Sequence, residues 1–124
     1  MATRSRIGME MPNGEVKSIY CHWDGYPEGV GATLKEHYTD PEKVAALIAL
    51  GDISSLGQFV SVNIPGVMHT FDNLDEGVTV AYHRDRGDAY HAPRVNLSVK
   101  SFSRSDIEEY GYVFTKAGEW ITFS

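Results

Sequence analysis

Pro12-Asn13-Gly14 separates two runs of mixed apolar and polar residues, Arg4 to Met11 and Glu15 to His22. Asparagine and glycine both accept positive φ at little cost, so an Asn-Gly step between two such runs closes a tight antiparallel turn. The sequence therefore predicts an N-terminal β-hairpin. Side chains alternate along its second strand, with Val16, Ser18, Tyr20 and His22 on one face and Lys17, Ile19, Cys21 and Trp23 on the other. Large groups crowd both faces near the strand's end, so one face is expected to be core and the other partly open.

The remaining pattern places helices next and strands after them. Asp24 to Gly31 reads as a glycine-rich turn, Ala32 to Tyr38 as a first helix, and Thr39-Asp40-Pro41-Glu42 as a second helix start, with a capping side chain, an early proline and acids at the positive end. Val44, Leu47 and Ile48 form one stripe of that helix, and Gly51 supplies a left-handed stop. Asp52 to Gly57 reads as a short helical turn or capped loop, and Ser105 to Tyr110 as another helical turn. Strands are expected over Gln58 to Ile64, Gly77 to His83 and Arg94 to Lys100, and in a terminal hairpin of Tyr112 to Thr115 and Glu119 to Phe123 around Lys116-Ala117-Gly118. Pro65 to Glu76 reads as a loop. Strands in series with two clustered helices predict one α+β domain over residues 1 to 124, an antiparallel sheet covered on one face.

Composition narrows the functions open to such a domain. At 124 residues, 42% hydrophobic and 23% charged, the chain can bury a core without staples. The formal net charge of −6 argues against non-specific nucleic-acid binding, which needs a basic surplus. No segment is long and apolar enough to span a membrane. With a single cysteine and no apolar signal core after Met1 to Arg4, a reducing cytoplasm is the expected compartment.

Two stretches carry candidate functional groups. Ser18 to Pro27 reads S-I-Y-C-H-W-D-G-Y-P, and Tyr20, His22, Trp23, Asp24 and Tyr26 within it combine stacking faces with hydrogen-bonding groups at a strand-to-loop transition. Such a set suits a protein hot spot or a base-binding pocket. Plain packing of Tyr20 and Trp23, with His22 and Asp24 bonded locally, is the alternative. The second stretch contains His83, Arg84, Asp85, Arg86, Asp88, Tyr90 and His91, in which the arginines would hold a phosphate or carboxylate, or else neutralise their neighbours in a solvated loop.

Other chemistries find little support. The His-Arg-Asp triplet at 83 to 85 lacks every companion motif of a protein kinase. His22, His83, His91, Asp24 and Asp85 show no metal-ligand spacing, and no cofactor is expected. His37 reads as surface, and His69 has no assigned task. Cys21 and His22 are adjacent on a strand and point to opposite faces, which removes them as a nucleophile and base. A small hydrolase or nucleotide-processing enzyme using His22 with Asp24, or His83 with Asp85, would require each pair to converge in a cleft.

The runs S-R-I-G-M-E at Ser5 to Glu10, S-I-Y-C-H-W-D-G-Y-P, E-H-Y at Glu36 to Tyr38 and L-I-A-L-G-D-I-S-S-L at Leu47 to Leu56 resemble a family of small proteins encoded in bacteriophages and prophages. The resemblance covers most of the chain and brings no catalytic residues with it. It implies a phage accessory protein in a bacterial cytoplasm. By analogy with small phage proteins that antagonise host defence, the expected role is non-enzymatic: binding and inhibiting a bacterial defence factor, as anti-CRISPR proteins do. The expected partner is a host protein or a small nucleotide ligand, and self-association is also open.

Overall fold

The computed structural model describes residues 2–60, 77–105 and 107–124. Strands β1 (Ser5–Glu10) and β2 (Val16–Cys21) form the expected hairpin, in register from Ser5 opposite Cys21 to Glu10 opposite Val16. Gly14 takes φ 90° in its turn, and the Asn13 side chain accepts the Glu15 N–H at 3.0 Å. A π-helical turn over Pro27–Gly31 runs into helix α1 (Ala32–His37), and α2 (Pro41–Ala49) follows. As its sequence requires, α2 opens with the Asp40 side chain accepting the Glu42 N–H at 3.0 Å and stops at Gly51, φ 76°.

The rest of the chain adds β3 (Ile53–Ser55), β4 (Val80–Ala81), α3 (Tyr82–Arg86), β5 (Arg94–Asn96), α4 (Val99–Ser105), β6 (Tyr110–Phe114) and β7 (Trp120–Phe123). The strands form one sheet in the order β4-β3-β2-β1-β6-β7, with β5 also paired to β2. The α+β class and both terminal hairpins are as the sequence predicts. The sheet is mixed, however: β1 runs parallel to β6 and β2 parallel to β3, while the other pairs are antiparallel. Since β2 already occupies one edge of β1, the returning chain takes the other edge, and it pairs there parallel.

Both faces of the sheet are covered, not one. Ile7, Ile19, Cys21, Tyr112 and Phe114 face Val30, Leu34, Tyr38, Val44, Leu47 and Ile48 of the helical segment. On the opposite face Val16 and Val113 pack against Phe102 of α4, with Val99, Ile107 and Phe123 around them. Gly111 permits this second layer, because a Cβ there would collide with the Ile107 side chain.

Several expected elements change type. Asp52 to Gly57 contains strand β3, since Ile53 continues the sheet beside Cys21. Within Gly77 to His83 only Val80–Ala81 is strand, because the Asp85 carboxylate accepts the Ala81 N–H at 2.7 Å and starts α3. Arg94 to Lys100 gives a three-residue strand and then α4, where the Ser98 hydroxyl accepts the Ser101 N–H and Phe102 follows Val99 at helical spacing. Helix thus precedes the stretch from Ser105 to Tyr110. Of Gln58 to Ile64, residues 58–60 are described, and Phe59 makes a single bridge to Val78. The remainder, the 65–76 loop and His69 lie outside the described residues.

Phe102 anchors the second layer, so Phe102→Ala is expected to cost about 3 kcal/mol. Urea unfolding monitored by far-UV circular dichroism measures this loss, and an unchanged midpoint would show that the α4 layer does not contribute to the core.

Candidate recognition loop

Where β2 ends, its backbone is handed to β3. The His22 and Trp23 N–H groups donate to the Ile53 and Ser54 carbonyls at 3.2 and 3.0 Å. Asp24 then adopts φ 57°, the left-handed region that a non-glycine residue rarely occupies. That single reversal carries the chain off the sheet. The Gly25 N–H donates to the Thr3 carbonyl at 2.8 Å, the Tyr112 hydroxyl to the Gly25 carbonyl at 2.7 Å, and the Val30 N–H to the Asp24 carbonyl at 2.8 Å. Glycine is required at two of these positions by close approach. A Cβ on Gly25 would lie 2.8 Å from both Ser5 Cβ and the Thr3 carbonyl, and one on Gly29 would collide with the Asp24 carbonyl.

This frame holds the aromatic residues apart from the core. Trp23 is 45% exposed and Tyr26 38%, while Tyr20 and His22 are half-buried. The Tyr20 hydroxyl lies 2.8 Å from His22 Nδ1. Burial raises the Tyr20 pKa, against a lowering by nearby Arg4 and with smaller increases from Tyr82, Glu108 and Cys21. The phenol therefore keeps its proton at neutral pH and shares a hydrogen bond with Nδ1. The His22 ring meets Trp23 edge-on, with centroids 4.8 Å apart at 86°. Tyr26 points back at Asp24 Oδ1 over a long 3.4 Å. His22 is thus paired with Tyr20, and Asp24 with Tyr26.

Cys21 faces the core. Burial pushes its thiol up to about 12, against smaller opposing effects from the Trp23 carbonyl and Ser5. A thiol held in that state is neither nucleophile nor ligand at physiological pH.

The second stretch is organised around its own fold. Asp85 is buried and receives Arg84 Nε at 3.0 Å on one oxygen and Arg84 Nη2 at 3.0 Å on the other. The same guanidinium donates to the Val60 and Thr79 carbonyls, both at 2.6 Å. Arg84 is therefore committed to holding Val60, Thr79 and Asp85 together as part of the framework. Arg86 faces Asp88 at 3.5 Å. His83 bonds the Asp88 carbonyl through Nδ1 at 2.8 Å and meets the Tyr90 ring at 5.3 Å. Tyr90 in turn donates to the Ala49 carbonyl at the end of α2. His91 is exposed, and its carbonyl abuts Gly51. His83 and Asp85, two residues apart on a helix, point to different sides and do not form an acid–base pair.

One residue joins the two stretches. Asp52 Oδ1 accepts the Tyr20 N–H at 3.0 Å, and the Asp52 carbonyl accepts the Tyr82 N–H at 3.3 Å. Asp52 and Tyr82 thereby belong to the surroundings of the loop, although nothing local in the sequence marks them: their proximity is made by the β2–β3–β4 pairing, as that of Arg4 is by the β1–β2 pairing. Two surface grooves lie elsewhere on either side of Met9, of about 330 and 310 Å³. The first is bounded by Pro41, Phe114 and Lys116, the second by Ile48, Tyr90 and Pro93. Only Tyr90 among the expected site residues borders either of them.

His37 stands 3.9 Å from the exposed Glu36 carboxylate. Among the described residues no three histidine, cysteine or acidic side chains gather as a metal site, and no helix is long and apolar enough to cross a membrane. Comparison with protein-family models, with curated proteins and with solved structures finds no match.

The raised Cys21 pKa has a definite sign in stability. Between the ordinary thiol value of 9.0 and about 12, the unfolded chain ionises its thiol while the folded chain does not. Its contribution is therefore complete below pH 9 and falls by about 1.4 kcal/mol per pH unit above it. Cys21→Ala is expected to flatten this part of the stability curve relative to the wild type in urea titrations. The native thiol should also stay unreactive to a chromogenic disulfide reagent at pH 8 until the protein unfolds, and rapid native labelling would contradict the burial.

Proposed function

We propose that this chain is a non-enzymatic binding protein of bacteriophage origin that occupies and inhibits a bacterial defence factor through the Tyr20 to Tyr26 loop. The observation that carries the reading is the presentation of Trp23 and Tyr26, both substantially exposed, on a loop pinned at Thr3, Asp24, Ser54 and Tyr112. Large aromatic side chains dominate binding energy at protein interfaces, and a surface that is already ordered loses little entropy on docking. Asp24 and His22 beside them offer polar contacts for a rim. The phage setting, and with it the host cytoplasm, rests on the resemblance of Ser18 to Pro27 and Leu47 to Leu56.

The binding class is favoured over catalysis by the partners of the four candidate acid–base groups. His22 is bonded to Tyr20, Asp24 to Tyr26, His83 to the Asp88 carbonyl and Asp85 to Arg84. Each group of the two expected pairs is bonded to a different neighbour, so neither His22 with Asp24 nor His83 with Asp85 is assembled as an acid and base. The commitment of Arg84 inside the fold also favours a protein partner over a nucleotide held by its phosphates.

The test compares the wild type with Trp23→Ala/Tyr26→Ala in capture from bacterial lysate, followed by affinity measurement with the captured protein. The double variant is expected to keep its circular dichroism spectrum and lose at least about 2 kcal/mol of binding, roughly 30-fold in Kd. Equal affinity of the folded variant would show that the partner docks elsewhere. Calorimetric heat with cyclic oligonucleotides or ADP-ribose derivatives, lost in the same variant, would replace the protein partner by a nucleotide.

A further inference from the structure

Among the described residues, the sheet has an outer edge whose sequence carries none of the usual protection. Among the described residues, β7 is the last strand on its side, and Trp120-Ile121-Thr122-Phe123 contains no charge, proline or glycine. The other edges are guarded: β4 is two residues long, and β5 is three residues long, follows Pro93 and begins with Arg94. Short strands, charges and prolines are the usual protection against edge-to-edge pairing.

The ladder shows what β7 offers. The Thr115 N–H donates to the Glu119 carbonyl at 2.8 Å, which sets the alternation of hydrogen-bonded pairs along the hairpin. Ile121 and Phe123 therefore direct their backbone groups inward to Val113 and Gly111. Trp120 and Thr122 direct their N–H and C=O groups outward. The side chains follow the same alternation: Ile121, 40% exposed, lies on the α4 face with Phe123, whose ring meets Phe102 at 6.4 Å.

We propose that two copies of this chain associate through β7, pairing antiparallel about a two-fold axis at Thr122. In this register Thr122 faces Thr122 of the second copy and the two exchange both backbone hydrogen bonds. Ile121 lies directly opposite Phe123, twice by symmetry, so the exposed isoleucine gains an apolar partner on the α4 face. A second copy fits this edge better than a charged partner, because the paired span is uncharged and self-complementary. Each copy carries a formal net charge of −6, so repulsion between the two bodies opposes the contact and salt relieves it. Two four-residue edges bury less than the roughly 1,200 Å² of a standard interface. The dimer is consequently reversible and concentration-dependent.

Sedimentation equilibrium over a concentration series, at low and high salt, reads the association, and its dimer fraction is expected to rise with both. Thr122→Cys should form a disulfide-linked dimer under mild oxidation, since Cα atoms of a hydrogen-bonded pair stand about 5.5 Å apart, within disulfide reach. Ile121→Cys should not, because residue 121 faces 123 and native Cys21 is buried. Thr122→Pro removes an outward N–H without touching the β6 ladder and should give a monomer, as should Ile121→Lys, which places a charge on an already exposed position. A wild type that stays monomeric throughout, equal cross-linking at 121 and 122, or a dimer unchanged in a folded Ile121→Lys protein would each overturn the proposal.

Discussion

The hydroxyl of Tyr112 donates to the carbonyl of Gly25 across 87 residues of sequence, and the shape of the aromatic loop depends on that bond. Tyr112 is fully buried in the sheet's helix-covered face, where an unpartnered hydroxyl or carbonyl would carry a desolvation cost of about 1–3 kcal/mol. The bond satisfies both groups. Burial also raises the tyrosine's pKa, with lesser contributions from Tyr110, Glu28 and Cys21, so the hydroxyl remains a donor at physiological pH. The same ring backs onto Gly31, where a Cβ would sit 3.1 Å from it. Strand β6 thereby sets the seat of the π-helical turn, and the turn sets the exit of the loop.

Beyond β2 a second polar network performs the equivalent task. Lys43 donates to the His37 and Gln58 carbonyls, each at 2.7 Å, and stands 4.4 Å over the Tyr38 ring. The Tyr38 hydroxyl bonds the Gly57 carbonyl at 2.7 Å, and Thr79 Oγ1 receives the Gly57 N–H. Arg84 completes the set from α3 through the Val60 and Thr79 carbonyls. These side chains supply the backbone hydrogen bonds that the short strands β3 and β4 cannot, and Asp52 does the same for Tyr20 where neither β3 nor β5 reaches β2. Charged groups that read in sequence as ligand contacts are here part of the framework.

What could be read in the sequence divides along the range of the responsible interaction. Asn13-Gly14, Asp40-Pro41 and Lys116-Ala117-Gly118 act within a few residues, and the elements they announce are all present. Strand β3 was not legible, because Ile53 becomes a strand residue only through pairing with Cys21, 32 positions earlier. The transition from β4 to α3 turns on Asp85 reaching back to Ala81, which competes with a β-branched run that reads as strand. The aromatic loop was legible as a cluster but not as a geometry: alternation alone cannot say that His22 would choose Tyr20 and leave Asp24 to Tyr26. Arg84 shows the reverse case, a residue whose chemistry suits an anion but whose donors meet carbonyls that only the tertiary fold brings near.

Trp23 lies where strand pairing gives way to a backbone reversal. Continued strand geometry would keep Trp23 on the same face as Ile19 and Cys21, which are both fully buried. Strand pairing with β1 ends at Cys21 opposite Ser5, and Asp24 then turns through the left-handed region. Trp23 is bonded by its backbone to Ser54 while its ring remains substantially exposed. Aspartate tolerates the left-handed region better than most non-glycine residues, and the surrounding hydrogen bonds at Gly25 and Val30 hold it there. The left-handed Asp24 directly follows an indole that stays at the surface, and it turns the chain from the β2–β3 pairing into the π-helical turn.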